Sequence, residues 1–193
     1  MKLCCVNATR NFIRKRAGSN ILTAVDKADL NIEEGKITAL FGPSGSGKST
    51  LLNMLAGLLP PTSGKVLADG ADLYAMEDKQ LSAFRNEHFG IIPQGQTAIM
   101  SLNVLENVMM PFYLYNHSKG DKYQETLAYA MDLLERAGIR ELENEMPSEL
   151  SGGEIRRMAV CRAMIMKPQI ILADEPTGDL DEENTRIVLE MLR

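Results

Sequence analysis

The sequence holds few cysteines, no long apolar run and no excess of positive charge, and each shortage excludes a class of protein. Cys4, Cys5 and Cys161 are its only cysteines. They form neither a disulfide framework nor a metal-ligand spacing, and are expected to be buried thiols of a cytosolic protein. No apolar stretch approaches the length of a bilayer-crossing helix, so the chain cannot itself form a path through a membrane. The start, Met1-Lys2-Leu3-Cys4-Cys5, lacks the apolar core and cleavage site of a signal peptide. The formal net charge of −5 argues against a nucleic-acid-binding surface. The local basic cluster Arg10, Arg14, Lys15 and Arg16 reads as a solvated loop. What remains is ordinary globular material, 45% apolar and 24% charged, in a length that suits one domain with a substantial core.

Against that background one segment stands out, Gly42-Pro43-Ser44-Gly45-Ser46-Gly47-Lys48-Ser49-Thr50. It follows an apolar run, Ile37 to Phe41, read as a strand, and opens onto a helical pattern, Leu51 to Leu55. Strand, glycine-rich turn and helix start, in that order, make a phosphate-gripping loop. Gly42, Gly45 and Gly47 bring backbone N–H groups toward phosphate oxygens, and the helix start adds donors and a positive dipole end. Lys48 supplies an ammonium for the β and γ phosphates, and the Ser49 hydroxyl is placed to ligate Mg²⁺. The pattern arises by chance in roughly one chain in a hundred of this length. It predicts a bound nucleoside triphosphate.

A second motif is the apolar strand Gln169 to Ala173, ending in Asp174 and Glu175. Its continuous apolar run predicts a parallel strand covered on both faces. Alone, an acidic pair after a strand is a solvated turn. After a phosphate loop, Asp174 becomes the Mg²⁺ partner, through a water, and Glu175 is placed to polarise the water attacking the γ-phosphate. A third motif, Leu150-Ser151-Gly152-Gly153-Glu154, precedes a helical stretch ending near Lys167-Pro168. Ser151 is predicted as its cap and as a hydroxyl donor to an anion. Two phosphate-gripping helix starts in one chain suggest two protomers sharing each nucleotide.

With these motifs the sequence resembles the ATP-binding-cassette (ABC) ATPases, whose signature is LSGGE or LSGGQ. The likeness runs from the phosphate loop through Gln94, the signature and Asp174-Glu175 to Gly178-Asp179-Leu180-Asp181, which resembles the family's D-loop, with Asp181 at its aspartate. The resemblance implies an α/β fold: a RecA-like P-loop core with an N-terminal antiparallel β subdomain and an inserted α-helical subdomain at about 95–157. All of 1–193 would be one ABC ATPase domain. It implies ATP and Mg²⁺ as cofactors, Gln94 contacting Mg²⁺ and the attacking water, Phe12 stacking on adenine (with a strand-end core aromatic as the alternative), and Asp181 in communication between protomers. It also implies a head-to-tail homodimer closed by ATP, with Ser151, Gly152 and Gly153 of one copy on the nucleotide of the other. Integral membrane permease subunits would hold the chain at the inner face of the cell membrane.

Pro60 to Gly64, Glu106 to Pro111 and Asp174 to Gly178 resemble the branch serving lipoprotein release, macrolide export, antimicrobial-peptide resistance and the cell-division exporter-like complex. The implied function is to power export or extraction through the permease; a regulatory tether with little turnover is the alternative. The DNA-repair branch carries long coiled-coil insertions before the signature, and no sustained heptads occur here. In the family the domain continues to a switch histidine, and neither His88 nor His117 matches it. The chain is therefore expected to be a C-terminally incomplete form with impaired hydrolysis.

The other expectations are local. Strands run to about Leu73, and Phe89 to Gln94 is a short strand whose Pro93 stands where an aromatic is commoner in the branch. Residues 102–146 read as helical, with a capping box at Asp121 and Gln124. Tyr123, Leu127, Ala130, Met131 and Leu134 form the buried stripe, and Gly138 is the stop. Most of the methionines read as core, with some near Met100, Met109 and Met110 facing a membrane partner's coupling helix as the alternative.

Overall fold

The computed structural model describes residues 1–13, 21–95, 97–115, 121–178 and 180–193, the side chain of residue 121 excepted. They form two compact units, Met1–Arg85 and Asn86–Arg193. No helix among the described residues is long and apolar enough to cross a membrane. Arg14 to Arg16, His117, Asp179 and the Asp121 capping box lie outside what is described.

The first unit is built on an antiparallel sheet of order β2-β1-β3-β4, from β1 (Leu3–Ile13), β2 (Ile21–Ile32), β3 (Ser63–Ala68) and β4 (Ala71–Asp72). In β1 the alternation Leu3 in, Cys4 half-buried, Cys5 in is broken at Val6 and Asn7, and Ala8 and Thr9 are then both buried. A register shift falls at this point. Asn7 takes it up at φ +46°, a conformation asparagine tolerates, and its N–H is tied to the Asp29 carboxylate at 2.8 Å. Helix α1 (Lys48–Leu55) buries Met54 and Leu55. Its end is pinned by Tyr74, whose hydroxyl lies 2.8 Å from the Met54 carbonyl and accepts from the Leu59 N–H at 3.2 Å. Burial pushes the Tyr74 phenol up to about 12. Of the strands expected before Leu73, those of this antiparallel sheet are present.

The strand expected immediately before the phosphate loop is not. Residues 36–43 carry no regular structure, and Ile37 and Phe41 are 81% and 91% exposed. An apolar run becomes a parallel strand only when a neighbour offers it a ladder. Among the described residues none pairs with it.

Helix α2 (Asp78–His88) leads into the second unit. There β5 (Phe89–Ile92) and β6 (Ile170–Ala173) pair in parallel, Phe89 opposite Ile170 and Ile92 opposite Ala173. Of β6 only Leu172 is fully buried, so the expected burial on both faces is partial. Helices α3 (Val104–Tyr115), α4 (Asp121–Arg136) and α5 (Gly152–Met164), with α6 (Glu182–Met191), supply the rest of the core. Val108, Met109, Phe112, Leu133, Leu134, Met158 and Val188 all lie in it. The α4 stripe holds at Ala130 and Leu134 and adds Leu133. Gly138, at φ +64°, ends the helix as expected.

Met109 is fully buried, which removes it from any partner-facing set; Met100 is 58% exposed. Cys5 and Cys161 are buried and Cys4 only partly, all three with free thiols. Burial raises the Cys161 thiol to about 12.

Candidate functional site

The first unit holds the phosphate loop. Gly42 to Ser46 are exposed, and the Ser46 N–H bonds the Pro43 carbonyl at 3.2 Å to close the turn. Gly47 stands as the N-cap of α1 with φ +90°, and its carbonyl accepts the Leu51 N–H at 2.8 Å. A side chain there would start 2.1 Å from the Ala24 carbonyl oxygen of β2, so only glycine lets the loop lie against that strand. The first turn of α1 carries no acidic residue and its cap no side-chain hydrogen bond. Its N–H groups and positive dipole end are thus left to an external anion.

Lys48 folds back so that Nζ donates to the Gly42 and Pro43 carbonyls, both at 2.9 Å. Ser49 and Thr50, half-buried, share its turn. A cleft of about 410 Å³ runs along the loop, lined by Val25, Phe41, Gly42, Ser46, Gly47 and Lys48 among others. Ser44 and Gly45 lie at the exposed turn beside it.

Phe12 is not among the residues lining this cleft. It lies near the end of β1, half-buried, with the Arg10 guanidinium 4.9 Å from its ring centroid. One aromatic face is therefore already engaged by a cation.

The second unit holds the acidic pair. Because β5 and β6 end at the same level, Pro93-Gln94 and Asp174-Glu175 leave the sheet side by side. The Asp174 N–H bonds the Ile92 carbonyl at 2.9 Å. Gln94 Nε2 then donates to Glu175 Oε2 at 2.9 Å. Glu175 itself is exposed and sits at φ +49°, a left-handed conformation rare for glutamate, held by the Gly178 N–H on its carbonyl at 3.0 Å. That backbone sets the direction in which the side chain leaves the strand end, and the Gln94 amide holds its carboxylate.

At the signature, Ser151 is the N-cap of α5, as expected. Its hydroxyl is already committed, however. Ser151 Oγ lies 2.7 Å from Glu154 Oε2 and accepts the Glu154 N–H at 3.3 Å, while the Ser151 N–H donates to the same carboxylate at 2.6 Å. The result is a closed capping box. The bond from the Ser151 hydroxyl, with that from its backbone, holds the Glu154 carboxyl below its usual range. The expected donor role requires the hydroxyl to turn away from Glu154.

Asp181 caps α6, and Asn184 holds both its oxygens, through its N–H and Nδ2 to Oδ1 at 2.8 and 2.9 Å and Nδ2 to Oδ2 at 2.8 Å. Those bonds lower the Asp181 pKa. The Asn184 side chain also fills the space 3.0 Å from where a Cβ on Gly153 would stand.

Ser49, Asp174 and Gln94 offer hydroxyl, carboxylate and amide oxygens, the hard donors Mg²⁺ takes alongside nucleotide phosphates. Among the described residues no group of His, Cys, Asp or Glu gathers to hold a metal by itself. Sequence reasoning missed Glu154 and Asn184, although Ser-x-x-Glu and Asp-x-x-Asn spacings announce them.

The chain's relatives agree with this chemistry. Residues 25–178 match the profile of the ABC transporter family. The chain is 41% identical over 188 residues to the lipoprotein-releasing system ATP-binding protein LolD of Buchnera aphidicola subsp. Acyrthosiphon pisum, covering 97% of this chain and 79% of that protein. It is 40% identical over 181 residues to the ABC transporter ATP-binding protein YtrE of Bacillus subtilis, covering 94% and 77%. Among solved structures, the dimeric post-hydrolysis state of the ATP-binding cassette MJ0796, bound to ADP and Pi, superposes with a TM-score of 0.89 at 33% identity, covering 98% of this chain and 81% of that one. The chain belongs to the ABC transporter family, as an ATP-binding subunit of a family of ATPases that bind ATP with Mg²⁺.

Proposed function

We propose that this subunit powers export or extraction of a substrate through separate membrane-spanning partners, and works as a head-to-tail dimer on the cytoplasmic face of the membrane. The observation that carries the nucleotide reading is the Lys48 ammonium lying on the loop carbonyls of Gly42 and Pro43, at a helix start without an acidic side chain. There Gly42 to Thr50 hold the triphosphate, with Lys48 on its β and γ phosphates. Ser49, Asp174 and Gln94 hold Mg²⁺, and Glu175 polarises the attacking water. Ser151, Gly152 and Gly153 serve the nucleotide of the partner copy, Asp181 communicates between copies, and Phe12 offers its ring to adenine. Residues 1–193 form one ABC ATPase domain with a helical part at about 95–157. The names of the LolD relatives favour lipoprotein release as the work performed.

ATP closes the dimer and hydrolysis reopens it, a population shift driven by differential binding. The test pairs reconstitution with substitution. ATPase rate is compared with and without the membrane subunit, and Ser151→Arg is assayed for nucleotide binding and for ATP-driven dimerisation. Stimulation by the membrane subunit, with Ser151→Arg binding nucleotide yet remaining monomeric, is expected. Loss of monomer binding in Ser151→Arg would place Ser151 in its own copy's site, and absence of stimulation would leave only a tether.

A further inference from the structure

Two arginines of α5 reach the segment that carries Gln94. Arg156 Nη1 donates to the Pro93 carbonyl at 3.1 Å. Arg162 spreads its fork over one residue, Nη1 to the Thr97 carbonyl at 2.8 Å and Nη2 to the Thr97 hydroxyl at 2.7 Å. Pro93 and Thr97 flank Gln94, whose amide in turn holds Glu175. Arg162 is half-buried, and among the described residues no carboxylate pairs with it. Burial lowers its pKa, a desolvation cost that its bonds to Thr97 help offset.

The next stretch is anchored as well. Fully buried Asn107 accepts the Ile99 N–H at 2.8 Å and donates to the carbonyls of Ile99, Leu102 and Asn103 at 3.0, 2.8 and 3.0 Å. The chain leaving Gln94 is therefore fixed at Thr97 from α5 and at Ile99 and Leu102 from α3.

We infer that Arg156 and Arg162 are positioning residues for hydrolysis, clamping the carbonyls on either side of Gln94 so that its amide stays on Glu175. Neither touches nucleotide in the reading above, on which this inference rests. A fork of fixed geometry is suited to the task, because it sets the direction of the segment as well as its distance. A misplacement of about 1 Å at a reacting group costs on the order of 10²-fold in rate.

Single-turnover and steady-state MgATP hydrolysis, with nucleotide Kd by calorimetry, is measured on the full chain for Arg156→Gln, Arg162→Gln and Thr97→Val. Each is repeated in a Gln94→Ala background, and Glu175→Gln serves as the reference. Arg162→Gln is expected to lower kcat by about 10- to 100-fold, with KM and Kd within about twofold. In the Gln94→Ala background the further loss should be under about twofold, because a residue acting through Gln94 has nothing left to position. Arg156→Gln and Thr97→Val delete one bond each at little risk to folding, and should lower kcat by about threefold or more. An unchanged kcat in all three, or equal losses with and without Gln94, overturns the inference. Turnover surviving in Glu175→Gln overturns instead the hydrolysis reading beneath it.

Discussion

Gly47→Ala should damage the nucleotide site far more than Gly45→Ala, although the two glycines are two residues apart in one loop. Both have positive φ, +79° at Gly45 and +90° at Gly47, and an L residue there costs about 1–2 kcal/mol. They differ in what a methyl group meets. Around Gly45 nothing lies within 4 Å, whereas at Gly47 the new Cβ would sit 2.1 Å from the Ala24 carbonyl oxygen. Ordinary contact begins near 3.4 Å, and the obstacle is the backbone of β2, so the start of α1 must retreat by more than an ångström. Such overpacking adds about 1–3 kcal/mol. The predicted destabilisation is therefore about 2–5 kcal/mol for Gly47→Ala and about 1–2 for Gly45→Ala, read from urea midpoints.

The retreat also carries Lys48 and Ser49 off their positions. Losing one or two charge-assisted bonds, each about 1.5–3 kcal/mol, should weaken MgATP by about a hundredfold in a calorimetric titration. Gly45→Ala should stay within about tenfold. Equal effects of the two substitutions would show that the contact with Ala24 does not hold the loop in place.

Lys48→Ala removes the ammonium that the loop folds over its own carbonyls, and nucleotide affinity should fall by about tenfold or more in the same titration; near-native affinity would remove Lys48 from the site. Asn107→Ala should cost about 2–4 kcal/mol in urea unfolding, since a donor and three acceptors around Ile99 to Asn103 lose a buried partner; a cost below about 1 kcal/mol would mean that water replaces it. Glu154 has a depressed carboxyl, so its contribution to the α5 start is complete above the ordinary glutamate value. It fades as pH falls through the lower folded value, and protection of the Ser151 and Glu154 amides in hydrogen exchange should fade with it. Glu154→Gln should abolish that acid sensitivity, and its persistence would assign it to another group.

The chemistry-bearing turns were legible because each is a local statement: a glycine-rich turn before Lys48, a cap at Ser151, two acids after a strand. The four residues of β5 and the four of β6 could be read from apolar runs bounded by Pro93 and by Asp174. Ile37 to Phe41 gave the same local signal and is not a strand, because an apolar run states what should be covered and is silent on what pairs with it. The arginine contacts were hidden for a similar reason. Arg156 lies 63 positions from Pro93 and Arg162 lies 65 from Thr97, and no periodicity encodes such a meeting. Asn107 reads as a polar position on a helix, yet it is fully buried. Only the folded chain shows that its amide stands in for missing backbone bonds.

The Gln94–Glu175 bond joins residues 81 positions apart across a parallel strand pair. Its two ends can meet only after the intervening helices have drawn the chain together, since a parallel pair has no tight turn to nucleate it and closing so long a loop is entropically slow. Helices α3, α4 and α5 are local and form early by comparison. In refolding, helical signal should therefore recover ahead of the pairing of β5 with β6 that brings Gln94 to Glu175.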